Sequence, residues 1–183
     1  MINKKRILII PGAFQFVKNY GNYEGVDIWL KSNFKEKIPA SDYVIAHSAG
    51  AIFALTLFSH FQRRKFILIN PPIKKRNTFV FFVRWIKFLV LEGIKMEKVV
   101  PITNWIYGLK KLSKLLKVDT LEIIKKIPRD NVMIIRGEKD NFFCDQESVK
   151  IIKSNNIAVI EVEAGHDWNE KIAGVVNELI SRN

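Results

Sequence analysis

The chain has 183 residues, with 30 Lys and Arg against 18 Asp and Glu and a formal net charge of +12. That length suits one domain, residues 1–183, with a core of its own. At 48% hydrophobic and 26% charged the composition excludes a disordered chain, and the single cysteine, Cys144, excludes a disulfide framework or a cysteine-rich zinc module.

The N-terminus is basic, but its apolar run Ile7–Ile10 stops at Pro11-Gly12, too soon for a signal peptide. It reads as a buried strand. The longest apolar stretch, Phe79 to Ile94, is broken by Arg84, Lys87 and Glu92 and is too short and too charged to span a bilayer. A soluble, cytoplasmic protein is the expectation. Five Ile- and Val-rich runs follow one another: Arg6–Ile10, Tyr43–His47, Phe66–Ile69, Asn131–Arg136 and Ile157–Val162. They are mostly continuous rather than alternating, as in a parallel sheet covered on both faces. Between them lie helical stretches at Glu24–Lys37, Ala49–Phe61, Glu147–Asn155 and Asp167–Ser181. The pattern is β-α-β-α-β, an insertion over residues 74–126, then β-α-β-α, which defines an α/β fold with about five parallel strands. The insertion holds helical candidates near Phe79–Glu97 and Thr103–Lys117, and a third that opens on Asp119-x-x-Glu122 and closes at Pro128. Right-handed crossovers that always step the same way would put nearly every helix on one face. Either the strand order reverses once or one face is thinly covered.

The most informative segment is Tyr43-Val-Ile-Ala46-His47-Ser48-Ala49-Gly50, a strand that turns sharply at Ser48 into a helix. Such a turn lifts a hydroxyl above the sheet edge, and small residues two before and two after let strand and helix approach. Ala46 and Gly50 meet that need. A serine before a helix also serves as an N-cap, but the strand–turn–helix context favours a nucleophile. A serine nucleophile needs a base, and the base an orienting acid. Of three histidines, His47 adjoins Ser48 on the strand and should point away, and His60 ends the buried helix. His166 lies in the loop Glu163-Ala-Gly-His-Asp167 beyond the last strand and is the candidate base. Asp140, in Gly137-Glu-Lys-Asp140, is the candidate acid, with Glu138 and Asp145 as competitors. Asp167 reads as a helix N-cap. For an oxyanion hole, the backbone amides of Ala13, after the first strand, and of Ala49, after the nucleophile, are the candidates.

The order Ser48, Asp140, His166 resembles the α/β-hydrolase superfamily, whose triad runs nucleophile, acid, histidine along the chain. The likeness covers the Pro11-Gly12 turn, the Ala-His-Ser-Ala-Gly elbow, the acid loop and the Ala-Gly-His loop. It departs between Ile10 and Tyr43, where only one helix is read in place of two helices and another strand, and the early antiparallel strands are absent. The resemblance implies a minimal version of that fold, similar to small serine hydrolases. It also implies that the missing strand is the element that reverses the winding.

Residues 74–126 carry 13 Lys and Arg against Glu92, Glu97, Asp119 and Glu122, a balance of +9 that leaves +3 for the rest of the chain. The resemblance makes this insertion a lid over the site. Phe79, Phe82, Val83, Ile86, Leu89 and Val90 fall at helical spacing, as do Trp105, Leu109, Leu112 and Leu116, with lysines beside both stripes. These stripes either pack on the core beneath a solvated lysine face or form an interfacial lid that meets anionic lipid or guides anionic substrates. Phe14, Phe82, Trp85 and Trp105 are the candidate substrate-binding side chains. Nucleic acid is disfavoured, because large aliphatics interleave the basic residues and no recognition motif is present.

The leading expectation is a serine hydrolase of carboxylic esters or thioesters, acting on a small-molecule acyl substrate through an acyl-enzyme and using no cofactor or metal. The alternatives are an amide or peptide hydrolase with the same triad, or a non-catalytic membrane- or protein-binding module that displays the basic lid.

Overall fold

The computed structural model describes residues 5–31, 39–57 and 64–182. Among these residues six parallel strands form one sheet: β1 (Ile7–Ile10), β2 (Glu24–Gly25), β3 (Tyr43–His47), β4 (Lys65–Ile69), β5 (Val132–Gly137) and β6 (Val159–Val162). Their order is β2-β1-β3-β4-β5-β6. Among the described residues six α-helices accompany them: α1 (Ala49–Thr56), α2 (Thr78–Leu91), α3 (Trp105–Leu115), α4 (Thr120–Ile124), α5 (Gln146–Ser154) and α6 (Glu170–Arg182). Among the described residues no helix is long and apolar enough to cross a membrane.

The strand order resolves the winding problem. From β1 the chain steps outward to β2, then crosses to the opposite side of β1 and continues in that direction to β6. The strand expected to be missing is therefore present, as two residues paired through Leu8–Glu24 and Ile9–Gly25. Its brevity hid it inside an amphipathic pattern that suggested a helix from Glu24. The start of that predicted helix is instead strand and turn, with Ile28 and Trp29 fully buried and the Asp27 carboxylate accepting from the Val17 amide at 2.6 Å. Residues 32–37 of the predicted helix, and 58–61 of the one that follows Ser48, lie outside the described residues.

Alternate residues of each central strand face two cores. On one face Leu8, Ile10, Val44, Ala46, Phe66, Leu68 and Ile134 pack with α1, α4, α5 and the insertion. On the other, Ile9, Ile45, Ile67, Ile69 and Ile135 pack with Ile172, Val176 and Ile180 of α6 and with Tyr20. Both faces are covered, which is why the strands read as continuous apolar runs.

The long helix expected over Phe79–Glu97 ends early. Gly93 takes φ +62°, its amide bonds to Val90 and that of Ile94 to Leu89, the pattern of a left-handed helix stop with Glu92 as the C-cap. The stripe assigned to this helix is also corrected. The residues that face inward are Phe81, Trp85 and Phe88, with Leu89 beside them, while Phe79, Val83, Ile86 and Val90 are exposed. Both faces of α2 are apolar, and the aromatic one is buried because it packs on other rings: Phe81 lies 4.5 Å from Phe143 and Trp85 4.8 Å from Phe14. The third helix of the insertion starts as read, with the Asp119 carboxylate accepting from the Glu122 amide at 3.2 Å, but it ends at Ile124, short of Pro128.

A Cβ on Gly50 would sit 2.3 Å from the Pro11 carbonyl oxygen and 2.7 Å from that of Ile10. The first turn of α1 thus presses on the loop after β1. Gly50→Ala is expected to cost roughly 1–3 kcal/mol, the usual range for overpacking, read as a lowered urea midpoint.

Candidate active site

The strand order reverses about β1, and in open α/β sheets the crevice at the carboxyl ends beside such a reversal is where ligands bind. The Pro11–Phe14 loop leaves β1 there and the Ser48 turn leaves β3. Ser48 has φ +50° and ψ −126°, a region that side-chain-bearing residues rarely occupy. Its hydroxyl makes no capping bond to the helix that follows. It lies instead 3.0 Å from His166 Nε2, and His166 Nδ1 lies 2.7 Å from Asp140 Oδ2. Residues 118 and 26 positions apart in sequence thus form one hydrogen-bonded chain at the rim of the sheet.

Asp140 is fully buried. Its Oδ1 accepts from the amides of Phe142 and Phe143 and its Oδ2 from that of Cys144, at 2.8–3.1 Å. Burial pushes the carboxyl upward, but His166 and these amides outweigh it and hold it at about 2. The competitors act elsewhere. Glu138 is exposed, and Asp145 caps α5 by accepting from the Ser148 amide while pairing with Lys74 and Arg76. Asp167 does not cap α6, since Asn169 accepts from Ile172 there; it accepts from Gln15 Nε2 and pairs with Lys98.

His47 is a hydrogen-bonded strand residue whose partners, the His166 carbonyl and Tyr20, the sequence did not suggest. Its Nε2 lies 2.8 Å from the carbonyl oxygen of His166, and its Nδ1 lies 2.6 Å from the Tyr20 hydroxyl, whose oxygen accepts from the Gly12 amide. Burial, reinforced by the neighbouring His166, pushes the His47 ring well below its ordinary value, so it is neutral and spends its one N–H on that carbonyl. His60 lies outside the described residues.

Other unforeseen supports converge on the same loops. Asn70, buried with φ +46°, donates from Nδ2 to the His166 carbonyl at 2.8 Å and accepts from the Gly137 amide through Oδ1. Asparagine tolerates this conformation, and its place between strand β4 and Pro71 was the available signal. Arg136, buried in β5, donates to the carbonyls of Cys144 and Asp140 and pairs with Glu161 at 3.1 Å, so it props the acid loop from below. Glu92 accepts from the amides of His166 and Asp167.

The four candidate substrate-binding side chains form a single cluster. Phe14 lies 4.8 Å from Trp85, 6.0 Å from Trp105 and 6.5 Å from Phe82, and Trp29 stacks on it at 5.3 Å. The Trp85 indole donates to the Ala13 carbonyl at 3.2 Å. Phe143 and Phe88 flank the His166 ring at 4.6 and 5.0 Å. Ser48 is only 2% exposed. The amides of Ala13 and Ala49 find no hydrogen-bond acceptor among the described residues. Nor do those residues bring together three His, Cys, Asp or Glu side chains able to hold a metal ion.

No known protein-family pattern and no curated protein sequence matches the chain. Solved structures do. The N-formylmaleamic acid deformylase of Pseudomonas putida superposes with a TM-score of 0.59 at 14% identity, over 94% of this chain and 91% of that one. An α/β hydrolase from a Medee basin deep-sea metagenome library gives 0.60 at 16%, over 98% and 89%. The thioesterase domain of the curacin biosynthetic pathway gives 0.58 at 12%, over 97% and 92%. The chain therefore has the α/β-hydrolase fold.

Because His47 is held neutral in the fold, the unfolded chain takes up a proton at this position first as the pH falls. His47 therefore lowers stability progressively below about pH 6.5. In His47→Gln the decline of the urea midpoint between about pH 6.5 and pH 5 is expected to be shallower than in the wild type.

Proposed function

We propose that the protein is a serine hydrolase that cleaves carboxylic esters or thioesters of a small acyl substrate through an acyl-enzyme. The observation that carries this reading is the continuous chain from Ser48 Oγ through His166 to a buried, ionised Asp140, set on a strained turn. Ser48 Oγ attacks the substrate carbonyl carbon and gives its proton to His166 Nε2. Asp140 orients the ring and stabilises the imidazolium. The carbonyl oxygen, now anionic, is taken by the amides of Ala13 and Ala49, with the N-terminus of α1 adding its positive end. His166 returns the proton to the leaving group as the C–O or C–S bond breaks, and water then releases the acid by the same route. A thioesterase and a deformylase among the similar structures fit acyl chemistry on this fold.

In this reading residues 74–126 are a lid, and Phe14, Phe82, Trp85 and Trp105 line the path of the acyl group. A fluorophosphonate probe is expected to label the wild type and not Ser48→Ala, with esters and thioesters turned over faster than the matching amides. A folded wild type that resists the probe sinks the reading.

The lid also gives reason to propose peripheral contact with anionic membrane. Among the described residues the large exposed apolar side chains all fall within residues 79–106, including Phe79, Val90, Leu91, Ile102 and Ile106, each more than 70% exposed. Exposed Lys87, Lys95 and Lys110 accompany them. Apolar insertion beside lysines suits an anionic headgroup layer. Sedimentation with vesicles is expected to be strong for phosphatidylserine-containing vesicles and weak for pure phosphatidylcholine. It should fall as salt rises and be lost in Val83→Asp/Ile86→Asp. Equal binding to both vesicle types excludes the electrostatic part.

A further inference from the structure

Glu92 is an acid in an unfavourable place. It caps the C-terminus of α2, where the helix dipole disfavours negative charge. It continues the inward stripe Phe81, Trp85, Phe88, one helical step further on. Its Oε1 accepts from the His166 amide at 2.7 Å and its Oε2 from the Asp167 amide at 3.2 Å. Both oxygens and the carboxyl carbon occupy the space that a Cβ on Gly165 would need, at 2.7–2.8 Å. The carboxylate and the glycine are therefore fitted to each other.

The His166 peptide is gripped from two sides. Its carbonyl is held at 2.8 Å by Asn70 and at 2.8 Å by His47, both at the ends of sheet strands. Its amide is held by Glu92 alone among these, from the insertion. The imidazole between them must meet Ser48 at 3.0 Å and Asp140 at 2.7 Å, so a small shift of its backbone breaks one contact or the other. Yet Ser48 is only 2% exposed, and the α2 rings Phe88 and Trp85 pack on His166 and on Phe14 beside it, so the cover has to shift to admit substrate.

We infer that Glu92 is a positioning residue that makes the alignment of His166 depend on the seating of the insertion. This rests on the serine-hydrolase reading for its functional meaning. When α2 lifts to admit substrate, two backbone amides lose their acceptor and the histidine loosens. When α2 returns over the bound acyl group, Glu92 realigns the base. The closed form is then the reactive one, and the exposed aliphatic stripe on the far side of α2 can meet a surface without opening the site.

The test uses Glu92→Gln, Glu92→Ala and Gly165→Ala in the full chain. Amide hydrogen exchange, which needs no substrate, is expected to quicken at His166 and Asp167 in Glu92→Ala, while near-ultraviolet circular dichroism keeps the wild-type lid signal. kcat for an acyl ester is expected to fall roughly 10–100-fold, the scale of sub-ångström to ångström misplacement, with KM changed less than twofold. Glu92→Gln, which keeps one acceptor oxygen, should fall between. Gly165→Ala should displace the carboxylate and reproduce the loss, and in combination with Glu92→Ala it should add little further. Unchanged exchange at both amides in Glu92→Gln and Glu92→Ala overturns the positioning role, as does a loss confined to KM. Failure of the wild type to react with a fluorophosphonate overturns the hydrolase reading instead, and the exchange measurement still decides whether Glu92 holds the loop.

Discussion

A parallel strand that hands over to a helix within one residue leaves that residue little choice of conformation. Ser48 sits at positive φ because β3 ends at His47 and α1 begins at Ala49, and the reversal has no other residue in which to occur. The close approach of Gly50 to the Ile10 and Pro11 carbonyls keeps it there. The same contact brings the two free amides, on Ala13 and Ala49, to the ends of neighbouring strands. Much of the site's geometry follows from this one backbone constraint, and the side chains then decide what it does.

Above the turn, a chain of polar groups runs through an almost wholly aromatic surround. Buried polar groups are costly unless every partner is supplied. Asp140 has three amides and an imidazole, His47 a carbonyl and a phenol, and Arg136 two carbonyls and a carboxylate. Little of this network can shift alone. The resulting stiffness holds the His166 ring in line between Ser48 and Asp140.

What could be read from the sequence was whatever local pattern encodes. Five strands, the turn at Ser48 and the loops bearing Asp140 and His166 announce themselves through apolar runs followed by small or acidic residues. Residue type and position just beyond a strand end pointed to the three side chains that the fold brings into one hydrogen-bonded line, with Glu138 and Asp145 still competing for the acid. What escaped was set by tertiary contacts. Strand β2 is two residues long and has no period of its own. Glu92 and Asn70 act on the main chain of residues far away in sequence, and no spacing rule connects Glu92 to His166. The inward face of α2 was misread because periodicity identifies a stripe only when the opposite face is polar.

That last ambiguity has a consequence for the insertion itself. A helix with apolar stripes on opposite sides, Phe81–Trp85–Phe88 and Phe79–Val83–Ile86–Val90, is only weakly told by the hydrophobic effect which way to roll. Its angle about its own axis is fixed by directional bonds to other segments: the Arg84 guanidinium on the Phe142 carbonyl, the Trp85 indole on Ala13 and the Glu92 carboxylate on the histidine loop. The roof over Ser48 is thus held down by grease but aimed by hydrogen bonds.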